Sequence, residues 1–353
     1  MKISIITLHS AMNYGSMLQA YALQQFLLES GNDVELIDYR PHYVESEGNK
    51  TKEFVKKILF LKNYMARKRN FNLFIKKHMI TSKILYKTYE ELRSAPPESD
   101  CYITGSDQLW NLDYECGRDD AYYLDFVKSG LKMSYAVSAG KSKLLDHELD
   151  WIYTRVKDFN WISVREKSTK VILEERGVTV NHVCDPVLLL DRDHYVNIST
   201  EYNLGKYIVI YLVRKSKLLD EFIEFLRDNF NYKIVLVGGF TRRCDFDIHI
   251  KDAGPKEFLG LLNGAEYIVA SSFHATVFAH IFQKKFAILL PERNSERIED
   301  FLFISNTLDR IVKTNNDFDR VLKDIDYKKD VDPKIKKFID ASKNSFVDAL
   351  NKR

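Results

Sequence analysis

Short apolar runs alternate with helical patterns along the chain, and this alternation limits the possible folds more than any other feature. The run KISIITL at 2–8 has the length and composition of a buried strand, 15–30 is typical of a helix, and DVELIDY at 33–39 is a second strand. A strand, a helix and a strand in this order form a β-α-β unit. The sequence therefore predicts an α/β fold.

The same alternation starts again after a polar stretch at 191–205, which we interpret as a linker. With 353 residues, of which 45% are apolar, the chain is long enough to bury two cores. We expect two Rossmann-like domains, at 1–195 and 205–330, that face a cleft, and a C-terminal helix at 331–353 that packs back. The other predicted strands are 101–104, 132–137, 161–164, 207–213, 233–239, 267–270 and 286–290.

Composition excludes several classes of protein. The net charge of +3 gives no reason to expect a nucleic acid, and no segment has the roughly 18 apolar residues that span a bilayer. The N-terminus lacks the pattern of a signal peptide. Four separated cysteines without a C-x-x-C pair indicate neither a zinc site nor a disulfide framework. We therefore expect a cytoplasmic protein.

The charge is unevenly distributed. From 51 to 87 the chain has eleven Lys or Arg residues and one acid, Glu53, within a predicted basic helical insertion at about 45–95. One interpretation is a solvated helix. Another is adhesion to anionic lipid at the inner face of the membrane, or to the diphosphate of a lipid-linked sugar. Binding to a nucleic acid is a weaker third interpretation, because the sequence has no recognisable nucleic-acid-binding motif.

Ligands of open α/β sheets bind beyond the carboxyl ends of the strands, where helices begin. After the first strand, Gly15 permits a tight turn, and Asn13 and Ser16 can cap a helix or contact a ligand. We include Asn13, Tyr14 and Gly15 as candidate substrate-binding residues. The alternative is a capped helix with no ligand.

The segment GSDQLWN at 105–111 follows another predicted strand. An acid, an aromatic ring and an amide suit a sugar, because the ring can stack on apolar carbons while the polar groups hold hydroxyls. The candidates are Ser106, Asp107, Trp110 and Asn111. In the alternative interpretation Asp107 is a helix cap and Trp110 belongs to the core.

Arg165 ends the predicted strand WISV, where its planar guanidinium could bind a carboxylate or a phosphate with two parallel bonds. A structural pair with Glu166 or another acid is an equally good interpretation. Asp185 precedes Pro186 in a predicted turn, and we give it a minor role.

The segment SSFHATVFAH at 271–280 places a histidine at the start of a buried helix. Ser271 or Ser272 is the N-cap, so His274 lies in the first turn. There the helix dipole and desolvation favour neutral imidazole, whereas a bound anion would favour the protonated form. The alternative is a satisfied core histidine, and we expect that role for His280.

Taken in order, several motifs closely resemble those of the bacterial polysaccharide pyruvyltransferases. The resemblance extends from about Lys2 to about Arg310, with a poor fit in the basic block. The motifs are NYGSMLQAYAL, TGSDQLWN, SYAVSAG, SVREKSTKVIL, CDPVLLL, EFLGLLNGAEYIVASSFHATVFAHIFQKKFAIL and RNSERIEDFL.

This resemblance implies a GT-B-like fold and the transfer of pyruvate from phosphoenolpyruvate to a sugar of a surface polysaccharide, such as an exopolysaccharide or capsule, as a cyclic ketal. The N-terminal domain would bind the acceptor and the C-terminal domain the donor. By resemblance, Arg165 and His274 would hold phosphoenolpyruvate. Relatives commonly carry Arg-Leu-His where this chain has Ser272-Phe273-His274, and Arg293 and Arg297 are candidates to supply the missing charge.

In the expected mechanism His274 protonates the donor, Asp107 orients or deprotonates a sugar hydroxyl, and Arg165 helps to neutralise the donor. We expect no metal site and no cofactor, and a requirement for Mg²⁺ stays open. Two other functions stay open: a GT-B glycosyltransferase that uses a nucleotide sugar, and a non-catalytic glycan-binding protein.

Overall fold

The computed structural model describes residues 1–45, 60–141, 143–213, 216–239, 244–291 and 295–352, and the predicted alternation gives two parallel sheets within them. The chain divides into two compact units. Unit 1 comprises Met1–Gly48, Ile75–Leu190 and Lys337–Arg353, and unit 2 comprises Asn49–Phe74 and Asp191–Lys336.

Unit 1 is built on a parallel sheet with the strand order β3-β2-β1-β4-β5. Its central strands are buried along almost their whole length, because helices cover the sheet. The strands are β1 Lys2–Ile6, β2 Asp33–Tyr39, β3 Thr81–Tyr86, β4 Cys101–Thr104 and β5 Leu131–Ser134, with the pair β6 Ser163–Val164 and β7 Asn181–His182. In chain order the helices up to Glu174 are α1 Tyr14–Glu29, α2 Leu61–His78, α3 Tyr89–Ser94, α4 Asp146–Val156 and α5 Lys167–Glu174. Of these, α2 belongs to unit 2 up to Phe74 and to unit 1 from Ile75 onward.

Unit 2 repeats the arrangement with the strand order β10-β9-β8-β11-β12, again parallel throughout. Its strands are β8 Tyr207–Tyr211, β9 Lys233–Val237, β10 Ile248–Ile250, β11 Tyr267–Ala270 and β12 Lys285–Ile288. The remaining helices are α6 Arg192–Ile198, α7 Leu219–Asn229, α8 Pro255–Gly264, α9 Phe273–Ile281, α10 Glu296–Ile304, α11 Phe318–Leu322 and α12 Asp332–Asn351.

In each sheet the connections reverse direction beside the first strand of the unit. The strand β1 lies between β2 and β4, and β8 lies between β9 and β11. At such a switch point the loops after the two neighbouring strands diverge and leave a crevice at the carboxyl edge. The loops after β1 and β4 are therefore the place to look for a site in unit 1, and those after β8 and β11 in unit 2.

The α/β fold class is confirmed, and the differences from the predicted elements are local. The strand β3 lies inside the region predicted to be a helical insertion, and the helix α6 lies inside the predicted linker. The unit boundary falls between Leu190 and Asp191. The predicted C-terminal helix is α12, which begins in unit 2 and belongs to unit 1 from Lys337 onward. Over the described ranges, no helix has both the length and the apolar character that crossing a membrane requires.

Candidate functional site

The N-terminus of α1 forms one side of the switch point in unit 1. Asn13 is the N-cap, and its side-chain oxygen accepts hydrogen bonds from the backbone N–H of Gly15 at 2.9 Å and of Ser16 at 3.3 Å. Asn13 is exposed, whereas Tyr14 and Gly15 are buried. The capped-helix interpretation therefore describes this turn, and Asn13 is the member of the set that a ligand can reach.

Asp107 forms the other side. It follows β4 and has a φ of +90°, a backbone conformation that residues other than glycine rarely adopt. One carboxylate oxygen accepts the backbone N–H of Gln108 at 2.8 Å, and the other accepts the hydroxyl of Ser16. The loops after β1 and β4 are thus joined across the switch point. Because Asp107 remains partly exposed, its carboxylate lies within reach of a ligand.

A buried ion cluster supports this loop. Arg165 is 5% exposed, and its Nη1 donates to Asp185 at 2.7 Å and to the hydroxyl of Ser106 at 3.4 Å, while its Nε donates to Glu166 at 3.1 Å. Burial alone would lower the pKa of Arg165, but the charges of Glu166, Asp185 and Asp107 raise it above its usual value. Arg165 therefore stays charged, and two carboxylates offset that charge within unit 1.

The structure places Trp110 and Asn111 differently from the sugar-binding hypothesis. Trp110 is completely buried and stacks on Tyr123, with ring centroids 6.1 Å apart, so neither face of its ring is offered to a sugar. Asn111 is buried, donates to the side chain of Gln108 at 2.8 Å and accepts the backbone N–H of Asp113 at 3.1 Å. The core interpretation of Trp110 is therefore the correct one, because large apolar surface is stabilised by packing inside the unit. Asn111 fixes the loop.

In unit 2 the serines join the loops beside the switch point. The hydroxyl of Ser271 accepts the backbone N–H of Val213, which follows β8, at 3.0 Å. Ser272 is the N-cap of α9, and its hydroxyl accepts the backbone N–H of Ala275 at 3.5 Å. Thr276 donates its hydroxyl to the Ser272 carbonyl at 2.9 Å. Capping explains a serine at position 272, since an arginine cannot accept this bond.

Two histidines lie on α9 in different surroundings. His274 is in the first turn, 8% exposed, with its ring edge-on to that of Phe273 at 5.1 Å. His280 is buried, with Nδ1 2.8 Å from the Thr276 carbonyl oxygen and Nε2 3.0 Å from the Thr307 hydroxyl. Burial lowers the pKa of His280 to about 4, and the charge of Arg310 adds to this effect. These contacts give His280 the expected structural role.

The predicted residues thus form two groups. Unit 1 assembles Asn13, Ser106, Asp107 and Arg165 at its switch point, and unit 2 assembles Ser271, Ser272 and His274 at its own. Arg297 is the second residue of α10 and is partly exposed, while Arg293 lies outside the described residues.

Two residues have structural roles that the sequence did not predict. The hydroxyl of Ser16 holds Asp107, and Asp185 accepts a hydrogen bond from Arg165 at 2.7 Å. The available signals were the position of Ser16 at a predicted helix start and that of Asp185 in a predicted turn. The partner of a polar side chain depends on the strand order, which the sequence pattern does not specify.

Unit 2 also has a cavity of about 630 Å³ that contains none of the predicted site residues. Four aspartates line it, Asp309, Asp324, Asp326 and Asp330, and the exposed ring of Phe303 lies at its wall. It is a feature separate from the crevice at Ser271.

Two Rossmann-like sheets of the same strand order, each with polar loops at its switch point, define an α/β protein of the GT-B class. The chain is similar in fold to the UDP-GlcNAc 2-epimerase from Neisseria meningitidis, whose structure contains bound UDP-GlcNAc. The TM-score is 0.56, the sequence identity is 11%, and 100% of each chain is covered. Similar enzymes are those from Rickettsia bellii, with a TM-score of 0.57, 11% identity and 99% and 96% covered, and from Methanocaldococcus jannaschii, with a TM-score of 0.54, 14% identity and 99% of each chain covered.

The chain belongs to the polysaccharide pyruvyl transferase family, whose family model matches residues 13–292. This range begins at Asn13, the last residue of the loop after β1, and includes the loops after β4, β8 and β11. The comparison with curated proteins gave no match.

Proposed function

We propose that the protein transfers pyruvate from phosphoenolpyruvate to a sugar as a cyclic ketal, with release of phosphate. The observation that carries this proposal is the position of His274, in the first turn of α9 beside Ser271 and Ser272 at the switch point of unit 2. Family membership supports the reaction class, since the family is that of the polysaccharide pyruvyl transferases.

The reaction needs a positioned acid. A proton added to the methylene carbon of phosphoenolpyruvate leaves an electron-poor carbon that bears the phosphate oxygen, and a sugar hydroxyl adds there as its own proton passes to a base. The carbon–oxygen bond to phosphate then breaks, and a second hydroxyl of the same sugar closes the ketal as its proton leaves. His274 is the proposed acid, because an imidazole can carry a proton near neutral pH.

The donor anion requires positive electrostatic potential. The N-terminus of α9 is a position where the helix dipole favours negative charge, and it suits a phosphate or carboxylate. Arg297, and Arg293 in the preceding segment, are the proposed replacements for the arginine that relatives carry at position 272. No step of the proposal is assigned to a metal.

Asp107 is the proposed group that orients or deprotonates the acceptor hydroxyl, with Asn13 as a second contact. The left-handed backbone of Asp107 supports this role, because such conformations persist where the surroundings hold a side chain in place. Arg165 is kept in the proposal as a positioning residue that holds Ser106 and Asp185 under this loop. Its direct contact with the donor, which the family resemblance implies, would require the donor to reach a guanidinium that is buried in the structure.

The acceptor in this proposal is a unit of a surface polysaccharide, built on a lipid carrier at the inner face of the membrane. That sugar-processing enzymes share the fold agrees with a sugar acceptor.

The test is phosphate release from phosphoenolpyruvate, measured with and without candidate sugars and with the mass of the product. We expect His274→Gln to slow release by about 10² to 10⁴-fold, the usual contribution of a positioned acid. His147→Gln, at an exposed histidine of α4, is the matched control and should keep full activity. A fully active His274→Gln enzyme would exclude the proposed acid. Release of a nucleotide from a nucleotide sugar would instead indicate a glycosyltransferase. Glycan binding without turnover would indicate a non-catalytic glycan-binding protein.

A further inference from the structure

The helix α2, Leu61–His78, is fixed on one side. Within unit 2, Phe71 and Phe74 are each 1% exposed, and the side chain of Asn70 donates to the carbonyl of Asp252 at 2.9 Å. The same Asn70 packs closely on Gly254, where an added Cβ would lie 2.7 Å from the Asn70 Cβ. These contacts therefore set the orientation of the helix and decide which of its side chains face the solvent.

The outer face carries large apolar side chains in solvent. Leu61 and Met65 are each 56% exposed and Leu73 is 42% exposed. Together with Arg69, also exposed, they recur at every fourth position, so they form one continuous row along the helix. A helix that was only solvated would place polar side chains in this row.

Cations flank the row. Lys62, Lys76 and Lys77 are exposed on the same side of α2 as Arg69, and the sequence has no acidic residue from Phe60 to Lys87. Among the residues that the structure describes, no carboxylate pairs with Lys62, Arg69, Lys76 or Lys77. The face therefore combines uncompensated positive charge with exposed apolar surface.

We propose that this face of α2 docks on an anionic lipid leaflet. Leu61, Met65 and Leu73 would enter the boundary between headgroups and acyl chains, while the flanking cations contact the headgroups, as in helices that lie in the membrane interface. Charge complementarity alone would also fit a nucleic acid, but an apolar row between the cations favours lipid. The inference rests on the proposed function in one respect, because docking would bring the enzyme to a lipid-linked acceptor.

Sedimentation with vesicles tests the electrostatic part. The wild type should bind vesicles of phosphatidylglycerol and phosphatidylcholine and should bind pure phosphatidylcholine far more weakly. The triple variant Lys62→Gln, Arg69→Gln, Lys76→Gln should lose about a hundredfold in affinity, since each cation near such a surface contributes roughly a factor of five. The control Lys128→Gln, Lys143→Gln, Lys157→Gln removes the same charge from exposed lysines elsewhere and should bind as the wild type.

A second triple variant tests insertion. Leu61→Gln, Met65→Gln, Leu73→Gln keeps the net charge and helix propensity but should weaken vesicle binding at least tenfold. Leu145→Gln, Val171→Gln, Phe303→Gln, at three other exposed apolar positions, should have no effect. Equal binding by all variants, no binding by the wild type, or binding to duplex DNA but not to vesicles would overturn the proposal. Because vesicle binding is measured without donor or acceptor, its outcome is independent of whether the protein is a pyruvyltransferase.

Discussion

His274 and His280 show how position on one helix separates two uses of the same side chain. His274 is in the first turn of α9, beside the serines that join the loops of the crevice. His280 lies almost two turns further on, where both ring nitrogens have partners and burial favours the neutral ring. A proton at His280 therefore opposes folding, whereas His274 is the histidine to which we assign the proton transfer in the proposed function.

His280 should make the stability of the protein depend on pH. Its folded pKa of about 4 lies below the usual 6.5, so the unfolded chain binds a proton that the folded chain does not. The contribution of neutral His280 to the free energy of unfolding is fully present above about pH 6.5 and is lost as the pH falls towards 4. The total loss is about 3 kcal/mol. When the free energy of unfolding is measured with urea and plotted against pH, its slope in this range should be smaller for His280→Gln than for the wild type. The difference should be about 1.4 kcal/mol per pH unit.

The exposed variant His147→Gln is the control and should keep the slope of the wild type. An unchanged slope in His280→Gln would mean that the pKa of His280 is the same in the folded and the unfolded chain.

The loops of unit 1 depend on one another for their shape. Gly140 has a φ of +70°, and an added Cβ would lie 2.4 Å from both the amide nitrogen of Asn111 and the side-chain oxygen of Gln108. The loop after β5 therefore fits against the loop that carries Asp107, and a glycine is needed for both the backbone and the contact.

Gly140→Ala should displace the loop of Asp107. We expect a loss in the free energy of unfolding of more than about 2 kcal/mol, because a backbone penalty of about 1 kcal/mol adds to a steric clash. Acceptor-dependent phosphate release should fall as well. Gly177→Ala is a matched control, since Gly177 has a φ of +86° with no atom near its would-be Cβ. It should show the backbone penalty alone and keep its activity, and equal effects of the two variants would argue against loop interlocking.

Each unit has a hydrophobic cluster of its own, as expected for a chain of this length. The three tryptophans of the sequence, Trp110, Trp151 and Trp161, all belong to unit 1. Tryptophan fluorescence therefore reports on unit 1, whereas circular dichroism reports on the helices of both units.

This distribution allows the two units to be followed separately. Gly260→Ala would place a Cβ 1.7 Å from the Thr200 carbonyl oxygen in unit 2, and Gly117→Ala would place one 2.1 Å from the Asn111 carbonyl oxygen in unit 1. Thermal unfolding of Gly260→Ala should lower the midpoint seen by circular dichroism and leave the tryptophan transition in place. Gly117→Ala should lower the tryptophan transition. Coincident shifts in both variants would show that the units unfold as one cooperative body.

The sequence determined the fold class, most of the strands and helices, the family and the positions at which polar side chains follow strands. Hydrophobic periodicity and capping residues are local, so they can be read without knowing the fold. That is why the sequence predicts a cap at Asn13 or Ser16 and another at Ser271 or Ser272, and in the structure Asn13 and Ser272 are the caps.

The strand order, the hydroxyl of Ser16 on Asp107, the pairing of Arg165 with Asp185 and the burial of Trp110 came from the folded chain. Each of these features depends on residues that are separated in the sequence. Which residues meet depends on which strands become neighbours, and the residue pattern of one segment does not specify the strand order.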